Sequence, residues 1–252
     1  MNPVELPEGA RRRDRAVVAA SLGLVALAAW AYTLVLAGMT MESPQAWSVG
    51  RAGATLLMWT AMMAAMMLPA SAPMIVLVAT IARNRRARAA PYAPTAVFVT
   101  GYLAAWSGFS ALATGAQWGL ESAGLLDASL AGASPVFVGF VLFSAGLYQM
   151  TPLKARCLAQ CRSPLGFLTM NWREGMAGAF ALGARHGMFC VGCCWALMAL
   201  LFAAGIMNLL AIALLTALVL AERLWTHGER LARAVGKVLI LAGLGLLAYG
   251  LA

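Results

Sequence analysis

The residues with the most specific chemistry in this chain are soft donors. Only five of its 252 residues are Cys and two are His. His186, Cys190, Cys193 and Cys194 fall together in one apolar stretch. Spaced by four, His186, Cys190 and Cys194 stack on one face of a helix, with Cys193 beside them. Thiolate and imidazole are ligands suited to Cu(I) or Zn(II). Each residue also has an ordinary role, since a lone Cys packs as a small hydrophobe and a lone His is a hydrogen-bonded core residue. Their concentration in a chain so poor in both points to a metal site. Arg185 beside His186 adds to it, because ionisable groups at membrane depth face protein or water and mark function.

A second stretch carries thioethers. Met58, Met62 and Met66 recur every four residues, and Met63 and Met67 flank that face. Pro69 and Pro73 each remove a backbone donor and bend the helix just beyond the array. A methionine stripe on its own is a packing device; beside the cysteines it is also a set of Cu(I) ligands.

Further soft residues sit towards both exits. Met39 and Met41 belong to the first outer loop, and Met198 and Met207 to the outer ends of later spans. Cys157 and Cys161 are four apart in the basic segment 153–176, where Arg neighbours favour thiolate. Together they outline a path for copper by ligand exchange, from Met outside to Cys inside, with loop cysteines of no role as the plain alternative. Glu222 closes an apolar run next to Arg223. It is expected to pair at the membrane boundary; pairing with Arg185 or holding a proton are the other readings. Met58, Cys157, Cys161 and Glu222 are accordingly accessory candidates, and His227 lies in a solvated basic loop.

The elements that must position these groups are membrane helices. Hydrophobic residues make up 62% of the chain and charged residues 11%, against roughly a quarter charged in a soluble domain. Continuous apolar runs of about 20 residues read as spans, and their lack of alternation excludes a barrel. Seven spans are expected, near 16–37, 54–80, 94–117, 135–152, 177–204, 206–220 and 235–251, as one all-α bundle and one domain over 1–252. The net charge of +9 is not a nucleic-acid signature. All but Arg51 and Arg185 of the 18 Lys and Arg fall in four clusters, at 11–15, 83–88, 154–173 and 223–237. Poor loops alternate with these clusters, which places the N-terminus in the cytoplasm and the C-terminus outside. No cleavable signal, P-loop or G-x-G-x-x-G is evident. With the second span running inward and the fifth outward, Met62–Met67 and Cys190–Cys194 share a depth. Whether their faces meet is open.

The Met58-Trp59 through Met66-Met67-Leu68-Pro69 block, the run from Gly187 through Cys193-Cys194-Trp195, Gly205-Ile206-Met207-Asn208 and Ala221-Glu222-Arg223 resemble a bacterial family of predicted metal-binding integral membrane proteins. Its members are sometimes labelled copper chaperones. The resemblance implies that Met62, Met63, Met66, Met67, Cys190, Cys193, Cys194 and Glu222 are the positions to test. With His186, they make the leading expectation a multi-pass protein of the bacterial inner membrane, not an enzyme. It would bind Cu(I), with zinc as the alternative metal, between spans two and five for transport or delivery to a membrane or periplasmic cuproprotein. The C-x-x-C of Cys190 and Cys193 keeps a thiol–disulfide oxidoreductase as the runner-up, and an assembly subunit whose Met and Cys only pack is the third reading.

Overall fold

The computed structural model describes residues 47–87, 93–126 and 134–251. The expected span near 16–37 lies outside the described residues save for five helical positions, and Arg11–Arg15, Met39 and Met41 lie outside them altogether. Nine helices follow in the described chain: α1 (Val49–Ala70), α2 (Ala72–Ala87), α3 (Thr95–Ser122), α4 (Pro135–Gln149), α5 (Pro152–Arg162), α6 (Pro164–Asn171), α7 (Gly175–Ala204), α8 (Leu209–Leu224) and α9 (Gly228–Leu251). Every regular element among the described residues is thus a helix.

Local chemistry sets their limits. Ser48, Ser134, Thr151 and Asn208 each cap a helix, the side-chain oxygen accepting from the backbone N–H three residues on. Pro135 and Pro152 sit in the first turns of α4 and α5, where a missing N–H costs nothing. Gly205 ends α7 with a φ of 94°, a conformation that side chains resist, and a tight turn then starts α8.

Among the described residues, α1, α3, α7 and α9 are long and apolar enough to cross a membrane. The α4–α5 pair, bent by 64°, makes a fifth such unit if taken together. Two expected spans therefore look different in three dimensions. The run at 54–80 is two helices meeting at Ser71, between Pro69 and Pro73. The run at 135–152 ends at Gln149, and the chain turns sharply into α5. The sixth run becomes α8, whose 16 residues reach about 24 Å at 1.5 Å per residue, short of a bilayer core of about 30 Å.

Glycines let the helices close up. A Cβ at Gly183 would lie 1.9 Å from the Phe98 carbonyl oxygen, and one at Gly101 would lie 2.1 Å from that of Phe180. These contacts run α3 and α7 side by side in the same direction. On the far side, Gly139 and Gly146 of α4 face Gly243 and Gly236 of α9 in antiparallel order. α1 runs against α3, with Trp59 Nε1 donating to Gln117 at 2.9 Å and Tyr102 donating to the Met67 carbonyl at 3.1 Å. It also runs against α7, since Trp59 meets Phe202 while Met67 meets Cys194. The α7–α8 hairpin carries the end of α8 back to the middle of α7.

Candidate metal site

That hairpin determines the site. At the end of α8, Arg223 is buried, and its Nη2 lies 2.8 Å from Cys190 Sγ, 3.2 Å from Cys193 Sγ and 3.7 Å from Cys194 Sγ. The Cys193 and Cys194 thiols each donate back to the Cys190 carbonyl at 3.1 Å. Tyr102 of α3 holds Cys190 Sγ at 2.9 Å. From α1, Met67 Sδ stands 3.9 Å from Cys194 Sγ, so the second and fifth expected spans touch through sulfur.

The two remaining cysteines converge on the same place. α5 folds back along α7 so that Cys161 Sγ is 4.0 Å from Cys193 Sγ. Cys157 Sγ lies against Gly192, where a Cβ would stand only 2.8 Å from it. All five cysteines are free thiols; four of them are linked through sulfur or Arg223, and Cys157 packs on the α7 backbone beside them. Cys157 and Cys161 thus both sit against α7, Cys161 through sulfur and Cys157 on the backbone at Gly192.

The methionines divide. Met62, Met63, Met66 and Met67 are wholly buried and Met58 nearly so, all in one core with the three α7 cysteines. Of these, Met67 is the one whose sulfur makes a recorded contact with a thiol. His186 occupies the predicted face one turn before Cys190, buried among Phe98, Tyr102 and Phe167, and its Nδ1 has no hydrogen-bond partner. Arg185 turns outward and is exposed.

Glu222 is not at the protein surface. It is buried, its carboxylate bound by Lys154 Nζ at 2.6 Å and by Gln149 Nε2 at 2.8 Å. Its partner is therefore Lys154 of α5 and not Arg185. Lys154 and Arg223 both counted as loop charges in the positive-inside reading, and both are in the interior. A charge on the edge of an apolar run looks the same in sequence whether it meets water or a buried partner.

Sequence reasoning missed three contributors: Arg223, Lys154 and Tyr102. The signal for Arg223 was available in part, because α8 is too short to return a charge at its end to the surface. Lys154 read as a loop charge in a basic segment, and Tyr102 carried no signal beyond its place in an apolar run.

Chemically, the cluster offers soft donors around a fixed positive charge that cannot be shed by deprotonation. As the side chains stand, no group of three His, Cys, Asp or Glu among the described residues is arranged to hold a metal ion. The reason is visible in the distances: the Arg223 Nη2 fills the centre that the three α7 thiols share. Thiols and a thioether are donors that fit a soft monovalent cation.

The model of a family described as "PpoB2: Copper chaperone" matches residues 56–246, from the methionine turns of α1 into α9. No curated protein matches the chain, and neither does a solved structure.

Proposed function

The chain belongs to the PpoB2 copper chaperone family, and from that premise we propose that it carries Cu(I) in the sulfur cluster of α1, α5 and α7. The observation that carries this reading is the convergence of Cys161, Cys190, Cys193, Cys194 and Met67 around Arg223. Cys190, Cys193 and Cys194 supply the principal ligands, with Met67 and Cys161 completing the shell in turn. Met62, Met63 and Met66 pack behind them as a polarizable wall, His186 closes the near side, and zinc is the competing metal. Arg223 offsets the negative charge of a thiolate-bound Cu(I) and fills the metal's place when it is absent. The family's description is that of a carrier and not an enzyme.

Cargo held inside apolar helices suits delivery to a membrane or periplasmic cuproprotein. We place the chain in the bacterial inner membrane as one domain of seven spans, N-terminus inside and C-terminus outside. The alternating basic clusters support that topology, as do the antiparallel runs of α1 against α3 and α4 against α9.

Copper and zinc measured together on protein purified in detergent without chelators test the reading. Copper in stoichiometric amount is expected, and it should be lost in Cys190→Ser and Cys194→Ser. Fully reduced protein holding neither metal above background would end it.

A further inference from the structure

A cavity of about 200 Å³ adjoins the sulfur cluster, lined by Ser71, Met74, Cys161, Arg162, His186 and Arg223 among others. It shares Pro73, Arg162 and Pro164 with a wider cleft of about 530 Å³ that runs beside α2 to Thr80. Thr80 is less than one turn from Arg83, so the cleft opens towards the arginine-rich end of α2.

The cavity wall is unusual in three ways. First, it holds orphaned polar groups. Ser71 Oγ, His186 Nδ1, and Arg223 Nε and Nη1 are all buried without a hydrogen-bond partner, and a buried donor without a partner is costly unless something fills the space. Second, its charged residues are both cations. Arg162 donates to the carbonyls of Glu222 and Thr226, and Arg223 to sulfur and the Cys190 carbonyl. The ion pairs of the described residues include neither. Third, a thiol stands at its inner edge, since Cys161 both lines the cavity and lies 4.0 Å from Cys193.

A bare Cu(I) ion approaching this wall meets two positive charges and no carboxylate. An anionic complex meets donors and charge of the right sign. We infer that copper passes through this cavity as an anionic Cu(I) bis-thiolate complex of a small thiol, drawn by Arg162 and Arg223 and exchanged first onto Cys161. The inference rests on the Cu(I) reading above and adds the chemical form and the route.

The exchange is balanced without any redox step. The Cys161 sulfur forms a bond to copper as one donor thiolate leaves, and the Cys161 proton goes to that thiolate, which departs as a neutral thiol. Cys193 repeats the exchange with the second donor ligand. Copper stays Cu(I), the complex keeps its single negative charge, and Arg223, 3.2 Å from Cys193 Sγ, offsets it. Release runs the same steps in reverse.

Two donors of near-equal size separate charge from ligand chemistry. Cu(I) bis-mercaptopropionate is net negative and Cu(I) bis-cysteamine net positive, and each transfers copper from a two-carbon thiolate. Anaerobic transfer to the full chain in detergent is followed by the rise of Cu–thiolate absorption. The anionic donor is expected to load about tenfold faster at low salt, the lower end of electrostatic steering, with the preference shrinking as salt rises. Arg162→Gln should erase the preference and Arg162→Lys should retain it. Cys161→Ser should slow loading from both donors. Equal rates for the two donors in the wild-type chain, or a preference that survives Arg162→Gln, overturn the route and leave the copper site standing. A wild-type chain that takes copper from neither donor overturns the site itself. The salt dependence needs no variant, so a misfolded mutant cannot shelter the idea.

Discussion

The α4–α9 seam and the sulfur cluster solve the same packing problem in different ways. At the seam, helices meet because side chains are missing: Gly139, Gly146, Gly236 and Gly243 bring backbone to within reach of backbone. At the cluster, helices meet around groups that are expensive to bury, with Arg223, Lys154 and Glu222 all inside. Lipid tails are as apolar as Leu, so close packing of small residues is what holds membrane helices together. The seam uses that route and needs nothing else. The cluster uses it too, at Gly187 and Gly192, but adds charge where charge is costly. Such a difference within one small bundle marks the seam as frame and the cluster as working part.

The largest expected effect comes from breaking the buried pair. Glu222→Ala strands Lys154 in the interior and should cost about 3–5 kcal/mol, the usual penalty for an orphaned buried charge. Thermal unfolding in detergent measures it. The double variant Lys154→Met with Glu222→Leu removes both charges and should recover most of that loss. A double variant as unstable as the single would mean that the pair is not the reason.

The seam supplies the contrasting experiment. Gly243→Val puts a side chain into the Phe143 backbone nitrogen, where a Cβ alone would stand at 2.6 Å. Overpacking of this kind costs about 1–3 kcal/mol. Copper content of the folded fraction should stay at the wild-type level, since no metal donor lies on the seam. A Gly243→Val protein that folds but loses copper would erase the division between frame and working part.

Within the cluster, Cys194→Ser keeps shape and removes a soft ligand. Outer-shell partners alone shift metal affinity about 10–100-fold, so loss of a direct thiolate is expected to cost at least that in a Cu(I) competition titration. Arg223→Gln should cost less, about tenfold (1.4 kcal/mol), the size of a partly screened charge contact. Its sign matters more than its size. Tighter copper binding in Arg223→Gln would mean that the guanidinium only obstructs the centre and does not balance charge there.

How much of this could be read beforehand depends on the range of the interaction. The His186–Cys190–Cys194 face and the Met58–Met67 turns were legible because a period of four is local. The shared depth of α1 and α7 was legible because rise per residue is fixed. Their contact was not, since depth says nothing about which way a face points; Met67 beside Cys194 settles it. The bent α4–α5 unit escaped because a hydropathy run carries length and no direction. Lys154 and Arg223 escaped for a different cause. Their partners lie 68 and about 30 residues away, and basic residues between apolar runs look solvated until the chain is folded.

The smallest expected effect sharpens the comparison most. Met67→Leu is close to a volume-conserving change at a fully buried position, and such swaps cost under about 1.5 kcal/mol. If Met67 is frame, like the glycines, nothing but a slight loss of stability should follow. If it is a ligand, Cu(I) affinity should fall severalfold while the melting temperature hardly moves, and Met63→Leu, equally buried but without a recorded sulfur contact, should leave affinity alone. A matched pair of titrations decides it. Equal behaviour of the two variants would place Met67 with the packing residues and leave the cysteines as the whole of the metal shell.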